Sequence, residues 1–363
     1  MSTFFSNPRA GFQSKKKLIL SEISKFIDSG EYILGSQVKK FEIEFNQFLN
    51  NGGYFVSCAN GTDAITLSLL AYGISKGNVI VPSHTATASI IGIKKAGCSP
   101  VYADVDPETL LISLHAIESI LKSNKNIKAI LAVHLYGNGL HMKSLNKLAK
   151  LYNCIVIEDC AQSCGTFIHG KQSGTMAAAG TFSFFPTKNL PALGDGGGIW
   201  LPTKKLQIQA QSIRQYGWNQ ERVVTIPNGM NSRLDEIQAV ILRVRLKTLK
   251  KEILQRRKIA SLYNLHLSQN FSRVSEGSHQ KSSYHLYVVR VSNRPKLIKY
   301  MQKHGIFLGI HYFPCNHMNG LFSKKSPKLP ITEKIVAEVI SLPIFPELRA
   351  KDQMQIIKLL NEF

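Results

Sequence analysis

Lys188 stands in TFSFFPTKNL, residues 181–190, behind an aromatic, strand-like run and a proline. A lysine amine is a useful nucleophile only when it is desolvated enough to lose its proton near neutral pH. This chain has 45 Lys and Arg residues, so Lys188 gains meaning only from what accompanies it. Upstream, Asp159 closes the apolar run CIVIED (154–159), where a carboxylate entering a core needs a cationic partner. Further upstream, ANGTDAI (59–65) is a glycine turn opening a helical stretch, the kind of start whose amides bind phosphate. Ser183 and Thr187 place spare hydroxyls on the Lys188 segment. Together these are the parts that pyridoxal phosphate needs: an amine for a Schiff base, an acid for the pyridine nitrogen, and a phosphate cradle. Each has a plainer reading alone, as a surface amine, a strand-end acid or a helix cap. The inference rests on their conjunction and order.

Other chemistries find less support. GDGGG (194–198) fails as a dinucleotide fingerprint, because the third glycine position falls on Ile199 or Leu201 and no strand-to-helix context surrounds it. Its glycines instead predict close backbone approach or a tight turn. Six cysteines lie scattered without a C-x-x-C pair, so zinc ribbons and dithiol redox sites are not indicated, and Cys160 and Cys164 read as two buried thiols. The net charge of +22 raises the question of nucleic acid or an acidic small molecule. The basic residues of the segment from Arg243 to Lys258 fall largely opposite its apolar positions, and no aromatic residues interleave them. Nucleic-acid binding is therefore not expected. No apolar run reaches the roughly 18 residues of a membrane span, and no secretory signal opens the chain, so a cytoplasmic protein without membrane contact is expected.

The elements that must position Lys188 and Asp159 alternate through the first two-thirds of the chain. NVIVP (78–82), SPVYADV (99–105), IKAILAVHLY (127–136) and CIVIED read as buried parallel strands. Between them DAITLSLLAYGI (63–74) and MKSLNKLAKLY (142–152) read as amphipathic helices. This predicts an α/β fold with a mainly parallel sheet and a site beyond the carboxyl ends of its strands. A long basic helix from about Arg233 leads into a smaller α/β region containing YHLYVVRV (284–291), GIFLGIHYF (305–313) and a last helix from about Ala350. The expected division is a large domain, 1–247, and a small C-terminal domain, 248–363.

The chain resembles the nucleotide-sugar aminotransferases of the DegT family, within the fold-type I enzymes that use pyridoxal phosphate. The motifs that carry the resemblance run in order from GEYILGSQVKKFEIEF (30–45) through NGTDAI, VPSHTATAS, VHLYG, IEDCAQSCG, FSFFPTKNLPALGDGG, IRQYGW and NSRLDEIQA to SLPIFP (341–346). The resemblance implies that Lys188 anchors the cofactor and shuttles a proton, that Asp159 pairs with the pyridine nitrogen, and that Gln162 contacts the ring hydroxyl. It implies that Thr62, the amide of Asp63 and Ser183 hold the phosphate, and that Asn231 reaches the phosphate of a neighbouring subunit in a homodimer with shared sites. Tyr216 and Arg222 would shape the sugar-nucleotide pocket, with Tyr32, His311 and His317 as further substrate contacts or, for the histidines, domain packing.

By the same resemblance the substrates are L-glutamate and a nucleotide-linked keto-sugar, closest to dTDP-linked 3-keto-6-deoxyhexoses, with UDP-linked and 4-keto sugars as alternatives. The product would serve surface glycan or lipopolysaccharide assembly. A branch that removes a sugar hydroxyl carries histidine in place of the lysine, so Lys188 points to amine transfer rather than to that branch or to a non-catalytic role. Two departures stand out. Ala86 occupies the position where many relatives stack an aromatic ring on the cofactor, with His84 nearby, and HYFPCNH (311–317) replaces a differently spaced proline pattern.

Overall fold

The computed structural model describes residues 2–320 and 327–363. Seven strands build the main sheet: β1 (Tyr54–Cys58), β2 (Asn78–Pro82), β3 (Ser99–Ala103), β4 (Ile127–Val133), β5 (Ile155–Asp159), β6 (Ala179–Ser183) and β7 (Gly197–Leu201). Their order across the sheet is β1-β7-β6-β5-β4-β2-β3. The pairs β3/β2, β2/β4, β4/β5 and β5/β6 are parallel, and β7 runs antiparallel to both β1 and β6. The four strands expected from the sequence form within a residue or two of their apolar runs, except that IKAILAVHLY stops pairing at Val133. The reason those runs are continuous rather than alternating is burial on both faces.

Helix α1 (Gly61–Ala71) corrects the expectation of an amphipathic helix: every residue from Asp63 to Ala71 is buried. It is apolar all round because it lies inside the fold, which makes its N-terminus a rigid platform. Helix α2 (Met142–Leu151) is amphipathic as read, burying Met142, Leu145 and Ala149. An aromatic nest of Phe41, Phe45, Phe55, Phe182 and Phe184 packs under β6 and β7, with ring centres 4.6–6.4 Å apart. It fixes the alternate residues of TFSFFP, leaving Phe185 at the surface.

Helix α3 runs unbroken from Glu236 to His266, so residue 247 lies within it. Its basic residues are not all on a solvated face. Arg245 and Arg256 are buried, the first donating to Glu252 and to the Gly11 carbonyl, the second to the carbonyls of His285 and Ile344. Beyond it, strands Ser272–Arg273, Tyr287–Arg290 and Val339–Leu342 form a separate sheet over a second core built from residues 259–360. Of GIFLGIHYF only Ile306–Phe307 is a strand, and it pairs with Thr3–Phe4 from the start of the chain. Among the described residues no helix is long and apolar enough to cross a membrane.

Candidate active site

The carboxyl ends of β1, β5 and β6 converge at the amino end of β7, where Gly197 pairs with both Cys58 and Ser183. A cavity of about 230 Å³ opens there, lined by Asn60, Gly61, Thr62, Thr85, Ala86, Ser89, Asp159, Gln162, Ser183, Phe185, Lys188 and Asp195 among others. Lys188 reaches it because β6 ends at Ser183 and the chain turns immediately. The Lys188 amide donates to the Phe185 carbonyl at 2.8 Å, and Ala192 donates back to Phe184 at 2.7 Å.

Burial lowers the Lys188 ammonium from its ordinary value to about 8, and the charge of Asp159 opposes that shift. Among the described residues its amine takes no hydrogen bond. Asp159 is buried, and desolvation pushes its pKa up. The Ala161 amide at 3.1 Å, the Ser89 hydroxyl at 3.0 Å and the nearby charge of Lys188 act against that rise. One cavity thus holds an ammonium lowered to about 8 by burial and a buried carboxylate whose rise is opposed by two hydrogen bonds and the charge of that lysine.

The phosphate-type cradle lies at the other end. Asn60 caps α1 by accepting the Asp63 amide at 2.8 Å, which commits that donor to the helix cap rather than to a ligand. The amides of Gly61 and Thr62 have no protein acceptor among the described residues. The Asp63 carboxylate is tied to Ser232 at 2.8 Å and to Lys95, and Ser232 also accepts the Ala59 amide at 3.2 Å. Two glycines make the cradle. A Cβ on Gly61 would lie 2.7 Å from Ser183 Cβ, and one on Gly197 would lie 2.3 Å from the Asn60 carbonyl carbon. Free amides at a helix N-terminus, the Thr62 and Ser183 hydroxyls, a desolvated amine and a supported carboxylate together fit pyridoxal phosphate.

Gln162 lines the cavity, held by the Tyr136 amide at its Oε1 (2.8 Å) and donating from Nε2 to the Tyr312 hydroxyl (2.7 Å). The remaining sequence candidates are not gathered here. Asn231, Tyr32, Tyr216 and Arg222 are exposed and line none of this cavity. His311 lies close enough to Lys188 to feel its charge; burial first and that charge second lower its pKa to about 4, and its Nδ1 pairs with Ser341 at 2.8 Å. His317 is buried, with Nδ1 at 2.7 Å from Ser83 Oγ and Nε2 at 3.2 Å from Glu333. His84 does not line the cavity; its Nε2 pairs with the Tyr136 hydroxyl at 2.6 Å. Sequence reasoning did not single out Ser89 or Tyr312, although both sit inside motifs it quoted, VPSHTATAS and HYFPCNH.

The sequence profile of the DegT/DnrJ/EryC1/StrS aminotransferase family matches residues 13–361. The chain belongs to this family. It is 38% identical over 351 residues, 96% of each chain, to a dTDP-3-amino-3,6-dideoxy-alpha-D-galactopyranose transaminase of Aneurinibacillus thermoaerophilus. It is 35% identical over 340 residues, 92% of each chain, to a UDP-2-acetamido-2-deoxy-3-oxo-D-glucuronate aminotransferase of Pseudomonas aeruginosa. Its fold superposes on S. venezuelae DesV, solved in complex with a ketimine intermediate, with a TM-score of 0.96 at 30% identity, covering 99% of this chain and 98% of that one. The protein is an aminotransferase, and the aminotransferases of this family use pyridoxal phosphate.

Proposed function

We propose that this aminotransferase moves an amino group from L-glutamate to C3 of a dTDP-linked 3-keto-6-deoxyhexose. The observation that carries the amine-transfer chemistry is the Lys188 amine, lowered to about 8 by burial, sharing one cavity with Asp159. The choice of sugar rests on the relative named for a dTDP-3-amino-3,6-dideoxyhexose. Pyridoxal phosphate, when bound, supplies an aldehyde for amines to condense with and a ring that accepts an electron pair.

The chain's own residues do the rest. The amides of Gly61 and Thr62, with the Thr62 and Ser183 hydroxyls, bind the phosphate. Asp159 would keep a proton on the cofactor's pyridine nitrogen, and Ser89, at 3.0 Å, holds that carboxylate in place. Gln162, pinned by Tyr136 and Tyr312, orients the ring hydroxyl. Lys188 would anchor the cofactor, and its amine would take the donor's α-proton and deliver a proton to the sugar carbon that gains nitrogen. Tyr216, Arg222, Tyr32 and His311 contact the substrate, and His317 is assigned to domain packing. Asn231 completes the site of a partner copy. Exposed Ile33, Leu193 and Ile237 around that region support a homodimer with shared sites. A small C-terminal domain is supported by a separate core from Ile259 onward, although Leu249 and Ile253, beyond the boundary at 247, pack with Phe41 and Phe45.

We place the reaction in the cytoplasm, where six free thiols persist, and its product in surface glycan or lipopolysaccharide assembly. A UDP-linked substrate is the second reading, favoured by the Pseudomonas aeruginosa relative's name. Incubation with glutamate and a panel of dTDP- and UDP-linked 3-keto and 4-keto sugars, read by mass spectrometry, separates them. Amination of the dTDP-3-keto sugar, abolished in Lys188→Ala, is the expected result. Amination of UDP-sugars alone refutes the choice of nucleotide. Full turnover by Lys188→Ala refutes the mechanism.

A further inference from the structure

Helix α3 leaves one face uncovered along its second half. Leu249, Ile253, Arg256, Ala260 and Tyr263, three or four residues apart, are buried. Opposite them Lys247, Lys250, Lys251, Leu254, Lys258 and Leu265 are all exposed. At about 100° per residue these six side chains leave the helix within an arc of about 100°, along roughly 27 Å of its length. Leu254 is 55% exposed and Leu265 73%. The result is a straight ridge of ammonium groups with two leucines set among them.

The charge of this ridge is not neutralised by its surroundings. Lys247, Lys250, Lys251 and Lys258 form no ion pair among the described residues. The two acids of α3, Glu236 and Glu252, are buried. Glu236 accepts the amides of Gln37 and Val38, and Glu252 pairs with Lys15 and Arg245. The helix Lys16–Ile27 packs beside α3 through Ile19 and brings Glu22 near Lys247, but Glu22 is bonded to Lys25 at 2.7 Å. At the other end Asn361 donates to the His266 carbonyl, and the adjacent Glu362 lies 3.8 Å from Lys358.

A straight line of positive charge is complementary to a flat negative surface. The leucines decide which kind. A nucleic-acid backbone offers no apolar layer to receive them, and no aromatic side chain stands on the ridge to stack on a base. A bilayer offers phosphates to the ammonium groups and hydrocarbon just below, with the lysine stems spanning the two. We propose that this face of α3 docks on an anionic lipid surface. The contact departs from the expectation of no membrane contact, which rested on the lack of an apolar span, because a helix lying on a surface needs none. The net charge of +22 draws the whole chain towards such a surface, and the ridge gives the contact its orientation. None of the six residues lines the active-site cavity.

The test is cosedimentation of the holoenzyme with vesicles of phosphatidylglycerol and phosphatidylcholine, against vesicles of phosphatidylcholine alone. Saturable binding to the anionic vesicles only, weakened by salt, is expected. Each lysine near the surface contributes about fivefold, so Lys250→Gln combined with Lys251→Gln should weaken binding about 25-fold. Leu254→Gln, which leaves the net charge unchanged, should weaken it at least about threefold. Lys125→Gln combined with Lys128→Gln removes the same charge from exposed positions elsewhere and should change binding less than about twofold. All these positions are exposed, so circular dichroism should show unaltered melting. Equal weakening by the two double variants, unchanged binding by Leu254→Gln, or equal binding to both kinds of vesicle would each overturn the proposal. Tighter binding to duplex DNA than to anionic vesicles would overturn the choice of partner.

Discussion

Replacing Lys188 by Met should stabilise the cofactor-free fold at neutral pH while abolishing turnover. The ammonium falls from its ordinary 10.5 to about 8 on folding, chiefly through burial. At pH 7 the folded and unfolded chains both carry the proton, and the difference, 10.5 − 8 or about 2.5 units, corresponds to about 3 kcal/mol against folding. Met retains most of the volume of the lysine stem, so little packing is lost. The attraction of Asp159 already acts within that figure, opposing the fall, so the net stabilisation stays at about 3 kcal/mol. The sign follows from proton binding. Between the folded value of about 8 and the unfolded 10.5, the unfolded wild-type chain holds more protons, so wild-type stability rises with pH across that window. The advantage of Lys188→Met should therefore be full below the window and disappear above it. Urea unfolding of the apo proteins at one fixed concentration, at neutral and strongly alkaline pH, measures both ends. A variant less stable than wild type at neutral pH, or a difference constant with pH, would refute the account of Lys188 as a desolvated amine.

Asp159→Asn should lower turnover about 1000-fold without loss of fold, checked by steady-state kinetics and circular dichroism, because an amide cannot hold the pyridine nitrogen protonated. Gly197→Ala places a Cβ 2.3 Å from the Asn60 carbonyl carbon and 2.8 Å from the Gly61 nitrogen, all backbone. It should displace the cradle and weaken cofactor binding at least about tenfold by fluorescence titration. Arg214→Met leaves Glu42 buried without the guanidinium 2.6 Å away, and chemical denaturation should show a loss of about 3–5 kcal/mol.

The parts of the site that were legible in the sequence are those whose chemistry is local. Asn60-Gly61-Thr62 announces a capped helix start, and CIVIED ends in its acid because a parallel strand delivers its last residue to the ligand edge. The part played by Asp63 was not legible, since whether an amide serves a cap or a ligand depends on the rotamer of Asn60. His317 shows the same limit: its partners Ser83 and Glu333 lie 234 and 16 residues away, and only folding brings all three together. Ser89 and Tyr312 escaped notice because a hydroxyl in a motif carries no sign of the carboxylate or amide it will meet. Strands β1 and β7 were not read from the sequence, because their antiparallel pairing joins segments far apart along the chain.

By itself the sequence determined the alternation of buried strands and helices, the family, and the presence of Lys188 at the position where the resemblance separates amine transfer from deoxygenation. Those depend on residue type and order along the chain. Only the tertiary structure decided that the Lys188 ammonium is lowered to about 8 by burial and that Asp159 meets Ser89. Solvation and through-space charge depend on what surrounds a group in three dimensions, and chain order does not specify those neighbours.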